Sequence, residues 1–270
     1  MNESSVTRSI PPALAGVVEL LELERPVTVT TAQLAGYVER AGVKTPAHVV
    51  IQRLAERGWL LRTGVRGVWE FAPGEHAGPY SHGDRWLTLR AALDKQPDLP
   101  VRVALGSALW LLDLTDRAPD VAEFALPTGV HVPVALRRAY RVVRFDPNLA
   151  PEKIRGLPVH NPASVLVHLA DRPSDVRSWG AVLDVLADLV AAASLDDVRA
   201  ELQGRAHATG VRLAYLLSGV APDLVEQLDV APGHKVWFGP RGKLRHHDAT
   251  WNVADTVLPT RPADLAPRRR

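Results

Sequence analysis

Two side chains at the centre of the 45–57 segment could read nucleic-acid bases. Gln52 and Arg53 lie on the side opposite Ala47, Val50, Ile51 and Leu54 when the segment is wound at helical spacing. A glutamine amide matches the adenine edge and an arginine fork matches guanine. His48, Val49 and Glu56 share that polar side. Residues 40–66 also concentrate Arg40, Lys44, Arg53, Arg57, Arg62 and Arg66 against one acid, Glu56. Cations placed before such a helix and on a following hairpin neutralise phosphates and fix the register of the base-reading groups. The candidate DNA contacts are therefore Lys44, Thr45, His48, Gln52, Arg53, Arg57, Arg62 and Arg66. The same framework can dock a protein, and a run of charge can be plain solvated surface. Agreement of helix order, caps, turn length and charge favours DNA.

The remaining constellations point away from catalysis. His168 and Asp171 stand one helical turn apart, and His246-His247-Asp248 forms a local cluster, but neither has a third ligand at metal-binding spacing. They read as a capped or partly buried histidine and a solvated loop. Asp184 and Asp188 fit the polar stripe of an amphipathic helix better than a carboxylate pair. The absence of cysteine excludes disulfides, thiolate zinc sites, iron–sulfur clusters and a cysteine nucleophile. No GxGxxG, Walker, GxSxG or HExxH pattern occurs. The expectation is a protein that is not an enzyme and has no metal and no cofactor. Two further basic strips face nucleic acid, an acidic protein or solvent: Arg137, Arg138, Arg141 and Arg144 around a strand, and Arg241, Lys243 and Arg245 with the histidine pair in a loop.

The elements that position these groups follow from periodicity and punctuation. Residues 11–23 carry Leu14, Val17, Val18 and Leu21 at helical spacing, and Pro26 stops the run. Residues 27–30 form a short β-branched strand. Thr30 and Gln33 are spaced as a capping box. The helix they open turns Leu34, Ala35, Tyr37, Val38 and Ala41 inward and closes at Gly42. After Gly42-Val43-Lys44, Thr45 is expected to cap the next helix, with Pro46 in its first position. That helix runs to Arg57 and ends at Gly58. Residues 59–63 and 68–72 then read as a hairpin bounded by Gly64 and Gly67. Helix, strand, helix, turn, helix, hairpin is the order of a winged helix-turn-helix.

With 270 residues, two domains are expected. The apolar share of 46% and charged share of 23% are those of a globular chain. The net charge of only +2 excludes a simple polycation, so local clusters carry the information. The first ten residues lack the apolar core of a secretory signal, and the most apolar stretch, 179–195, is cut by Asp184 and Asp188. A cytoplasmic protein with no membrane contact is expected. Residues 1–74 form the first domain, 75–83 a Gly/Pro/His linker, 84–258 a larger mixed α+β domain, and 259–270 a Pro/Arg tail expected to fray. Within 84–258, helices are expected at 86–93, 104–114, 162–170, 179–193, 195–202, 208–217 and 222–227. Strands are expected at 121–126, 130–134, 140–145, 235–239 and 251–253. Strands and helices group rather than alternate, the mark of α+β.

The segments PVTVTTAQLAGYVERAGV, RLAERGWLLRTGVRGVWEFAP, ALGSALWLLDL and GLPVHNPASVLVHLADRP, with the late KVWFGP, span most of the chain. Together they resemble the AbiEi-type antitoxins, in particular an actinobacterial branch. The resemblance implies a winged helix-turn-helix followed by an α+β antitoxin domain. It implies an autorepressor that binds its own operon's DNA, and a partner toxin similar to nucleotidyltransferases in a phage-defence system. The family's DNA contacts map here onto residues 45–57 and 62–66. An inverted-repeat operator occupied by two copies is the expected target, with dimerisation on the DNA. Two other classes stay open: a stand-alone regulator whose second domain senses a ligand or partner, and a targeted enzyme such as a nuclease. The lack of a paired-carboxylate-plus-lysine set counts against the last.

Overall fold

The computed structural model describes residues 10–74 and 83–265. In chain order it forms α1 (Ala15–Glu24), β1 (Thr28–Thr30), α2 (Thr31–Arg40), α3 (Ala47–Glu56), β2 (Leu60–Arg62), β3 (Val68–Phe71) and α4 (Leu87–Lys95). Then follow β4 (Arg102–Val103), α5 (Leu105–Leu111), β5 (Glu123–Leu126), α6 (Val134–Ala139), β6 (Arg141–Arg144), β7 (Glu152–Ile154) and β8 (Leu157–Val159). The chain closes with α7 (Pro162–Asp171), α8 (Trp179–Ala192), α9 (Leu195–Leu202), α10 (His207–Leu217), α11 (Pro222–Leu228), β9 (Val236–Phe238), β10 (His246–Asp248) and β11 (Val253–Asp255). Packing divides this mixed α+β chain into two units. One runs to Leu99 and takes in Val132–Ala139; the other holds Pro100–His131 and the chain from Tyr140 onward.

In the first unit, local chemistry sets the helix ends. The Thr30 hydroxyl accepts from the Gln33 N–H at 3.2 Å, and the Gln33 side chain accepts from the Thr30 N–H at 2.7 Å, so the capping box forms as expected. Gly42 and Gly58 follow α2 and α3 with φ of 64° and 72°. Each helix ends in the same pair of bonds: Gly42 N–H to Glu39 and Val43 N–H to Val38, then Gly58 N–H to Ala55 and Trp59 N–H to Leu54. This double closure reverses the chain tightly and satisfies the last carbonyls. The inward faces of α1, α2 and α3 bury Leu14, Val17, Leu21, Leu34, Val50 and Leu54 with Val29, Trp59, Leu60 and Phe71. Each such side chain adds about 1.5–3 kcal/mol by leaving water. The strands form an antiparallel sheet in the order β1-β3-β2.

α4 belongs to this unit, not to the second domain where the sequence placed it. It packs on β1 and β3 and buries Leu89, Ala91 and Ala92. Lys95 Nζ donates to the Arg66 carbonyl at 2.8 Å, the Thr88 hydroxyl to the Thr63 carbonyl at 3.3 Å, and the Thr28 hydroxyl to Asp94. The division therefore falls at Leu99, whereas the 75–83 linker, Gly83 excepted, lies outside the described residues. α6 buries Leu136 and packs on α4. Residues 130–134 were expected as a strand. Pro133 removes a ladder donor there, and its carbonyl instead accepts from the Arg137 N–H as the helix begins.

In the second unit a five-stranded sheet runs β6-β5-β4-β8-β7, parallel at β5/β6 and β4/β8 and antiparallel elsewhere. α7 is its central helix, packed by α5, α8, α9 and α10. Val165, Leu166, Val167 and Leu169 are all fully buried, as a helix apolar on every side must be. A smaller sheet, β10-β11-β9, pairs β11 parallel to β9. Pro262, assigned to a loose tail, is buried, and its turn Pro262–Asp264 packs on α10; residues 266–270 lie outside the described residues.

Candidate nucleic-acid interface

α3 presents two faces of opposite character. Val50, Ile51 and Leu54 are buried, while His48, Gln52, Arg53 and Glu56 are exposed. The helix begins one residue later than expected. Pro46 is the cap, its carbonyl accepts from the Val49 and Val50 N–H groups, and no side chain caps the end, so Thr45 is not the N-cap and Pro46 not the first helical residue. The fixed proline φ provides the extended entry that a capping threonine would otherwise stabilise. On the outer face the Gln52 amide donates to Glu56 Oε1 at 2.9 Å. That bond holds the amide along the helix surface, and it places the only carboxylate of the face beside the base-reading candidate. Arg53 extends into solvent, and Arg57 is half-buried at the helix end.

Around α3 the cations take different roles. Lys44, Arg62 and Arg66 are exposed, the first before the helix and the others on the hairpin. Lys95 holds the Arg66 backbone, which fixes the hairpin tip without consuming the Arg66 side chain. Arg40 is committed elsewhere: it pairs with Glu24 at 2.6 Å and lies over the Tyr37 ring. The Tyr37 hydroxyl donates to the same carboxylate, and burial together with that bond pushes its pKa up to about 12. This trio ties α1 to α2. The Tyr37 and Arg40 bonds hold the Glu24 carboxyl below its ordinary pKa.

The four arginines of the 137–144 strip are divided between the two units. Arg137 and Arg138 sit exposed on α6 in the first unit. Arg141 is drawn into a 2.7 Å ion pair with buried Glu123, and Arg144 donates to the Pro127 and Val130 carbonyls at 2.9 and 2.8 Å. Both anchor the edge of the second unit's sheet, because β5 and the loop after it supply partners that strand alternation along the sequence does not reveal. Arg241, Lys243 and Arg245 remain exposed before β10. The neighbouring histidines are not in a loop: they form β10, and Asp248 accepts the Trp251 N–H.

His168 and Asp171 do not converge. His168 is fully buried and stacked on Phe145, with ring centroids 4.2 Å apart, while Asp171 accepts from Thr209. Burial holds the His168 pKa below its ordinary value, against the opposing pull of Asp175, whose Oδ2 lies 3.6 Å from Nε2. His160, also fully buried, has no hydrogen-bond partner for either ring nitrogen among the described residues, and burial lowers its pKa strongly. Arg205 covers the other side of this cluster, 4.3 Å from the Phe145 ring centre, and pairs with Glu201. Glu201 is fully buried and accepts from the Ser164 hydroxyl and the Asn148 and Leu149 N–H groups. Arg205 is four residues from Glu201, but the Ser164, Asn148 and Leu149 groups that complete its shell lie 37 to 53 residues away, so the local sequence does not mark Glu201 as buried. Asp184 is exposed and Asp188 partly so, on the outer side of α8. Among the described residues no helix is long and apolar enough to cross a membrane.

Residues 101–219 match the family model of the AbiEi antitoxin C-terminal domain. No curated protein matches the chain. Among solved structures, that of the RV2827C protein from Mycobacterium tuberculosis is similar over 95% of both chains, at 28% identity and a TM-score of 0.78.

Proposed function

We infer that this chain, which carries an AbiEi antitoxin C-terminal domain over residues 101–219, is the antitoxin of a toxin–antitoxin pair and the repressor of its own operon. The family match carries the antitoxin role. The DNA-binding role is supported by the α2–α3 pair. Its double closure at Gly42 makes a tight turn, and α3 offers an exposed polar face followed by a basic hairpin. We read α1 to β3 as a winged helix-turn-helix, with α3 in the major groove, Gln52 and Arg53 at base edges, and His48 and Thr45 near the helix start. Lys44, Arg57, Arg62 and Arg66 meet phosphates. Two copies occupy an inverted repeat and meet on the DNA. The counteracted toxin is nucleotidyltransferase-like, and the antitoxin acts by binding rather than catalysis, in the cytoplasm as part of phage defence.

Co-expression with the adjacent gene, scored by growth, tests the antitoxin role: rescue supports it, and unrelieved toxicity with soluble protein overturns it. Footprinting on the native promoter tests the second role. A protected inverted repeat with two copies bound supports it, and binding indifferent to sequence overturns it.

A further inference from the structure

The GSALW segment at the start of α5 does chemistry that the proposed function leaves unused. Leu105 takes a left-handed φ of 50°, and the Gly106 N–H turns to donate to Glu123 Oε2 at 3.0 Å. In return the Ser107 hydroxyl accepts the Glu123 N–H at 3.0 Å. A Cβ on Gly106 would lie 3.2 Å from both Glu123 Oε2 and Pro119, so only glycine allows this approach without displacement. The two bonds lock β5 against α5 and form one wall of a cavity of about 330 Å³. That volume is at the lower end of small-molecule sites.

Inside, the cavity is apolar: Leu105, Leu109, Leu169 and Val182, all nearly or fully buried, contribute its lining. The one deep carboxylate, Glu123, is balanced by Arg141 at 2.7 Å. Burial raises its pKa, and Arg141, the Gly106 N–H and, least, the charge of Arg177 counteract that rise. Two exposed guanidiniums, Arg117 and Arg177, also line the cavity, and neither side chain has a hydrogen-bond or ion-pair partner among the described residues. Among the described residues Asp120 is the only other acid in the lining. With Glu123 already neutralised, cations exceed acids at the solvent side.

We propose that this cavity binds a small organic carboxylate, its apolar body on the leucine and valine lining and its anionic end on Arg117 and Arg177. An apolar floor contributes burial, and unpaired arginines give a carboxylate a charge-assisted, bidentate partner. The site makes the second unit a receptor for an acidic effector, a role independent of the toxin. The test uses the full chain with octanoate, phenylacetate and indole-3-acetate, followed by calorimetry and thermal shift, and with octylammonium as the charge-reversed control. At least one acid should bind saturably with one site per chain, and octylammonium should not. The exposed pair Arg117→Gln/Arg177→Gln should weaken binding about tenfold or more, the loss of charged hydrogen bonds. Ala181→Trp, at an exposed lining position, should abolish it by filling the space. The proposal is overturned if none of the acids binds saturably, if octylammonium binds equally, or if binding persists in folded Ala181→Trp protein.

Discussion

The polar side chains that matter most in the two units lie in opposite environments, although the first unit also buries Thr63 and Glu70. In the first, the groups of interest point outward from an apolar core: Gln52, Arg53, Arg62 and Arg66 are exposed on elements whose inner faces are Val50, Leu54 and Phe71. In the second, Glu123, His160, Ser164, His168, Glu201 and Asp255 are buried. An exposed polar group adds little to folding and is free to meet a ligand, whereas a buried one must be matched or it destabilises. Substitutions at these particular residues should therefore separate, with DNA-binding defects at the exposed set and folding defects at the buried set.

The largest effect should come from Glu201→Ala. It leaves the Arg205 guanidinium with carbonyl acceptors but no counter-charge, and the Ser164 hydroxyl and two N–H groups without this acceptor. Breaking a buried ion pair from one side costs about 3–5 kcal/mol, read as a fall in the denaturant midpoint. A loss below about 1 kcal/mol, the range of exposed pairs, would erase the contrast between the units.

Gln52→Ala and Arg53→Ala should leave that midpoint unchanged and weaken operator binding by about 1–3 kcal/mol, with relaxed preference at one base position. Arg66→Ala should weaken operator and scrambled DNA alike and lower the salt dependence. If Arg66→Ala relaxes sequence preference and Gln52→Ala does not, helix and hairpin have exchanged roles.

A pH titration sharpens the comparison. Burial holds His160 and His168 below the ordinary value of 6.5, so the folded chain binds fewer protons than the unfolded chain as pH falls below about 6.5. Their contribution to stability is complete above that pH and declines as the pH falls from there to the lower folded-state values. The second unit should thus lose thermal stability on acidification through this window, and His160→Leu, which removes two partnerless nitrogens, should flatten the decline. An unchanged profile in that variant would remove His160 from the account. Least in size, Thr30→Ala should cost about 1 kcal/mol by opening the α2 capping box, with DNA preference retained.

The first unit was the more legible in the sequence because its signals are local. The Thr30–Gln33 box, the glycines at 42 and 58 and the Gly64–Gly67 hairpin each act within a few residues, and all are present in the structure. The shift of the α3 cap from Thr45 to Pro46 is a one-residue matter of the same local kind. What failed there was α4, because a helix pattern states that a helix forms and not which sheet it covers. In the second unit α7 to α11 were legible from helical periodicity, whereas the two-residue β4 and the short β7 and β8 carry too few residues for alternation to register.

The amino-acid sequence by itself determined most helix ends to within a residue or two, α6 excepted, which face of α3 is apolar, and that basic residues gather between 40 and 66. Those properties depend on contacts between near neighbours along the chain. Only the tertiary structure decided that Arg40 serves Glu24, that Arg141 serves Glu123, that Glu201 is enclosed by Ser164 and Asn148, and that Arg53, Arg62 and Arg66 remain exposed. A charged side chain's role is set by what packs around it, and that shell is assembled from segments far apart in sequence, whose spacing along the chain carries no record of their meeting.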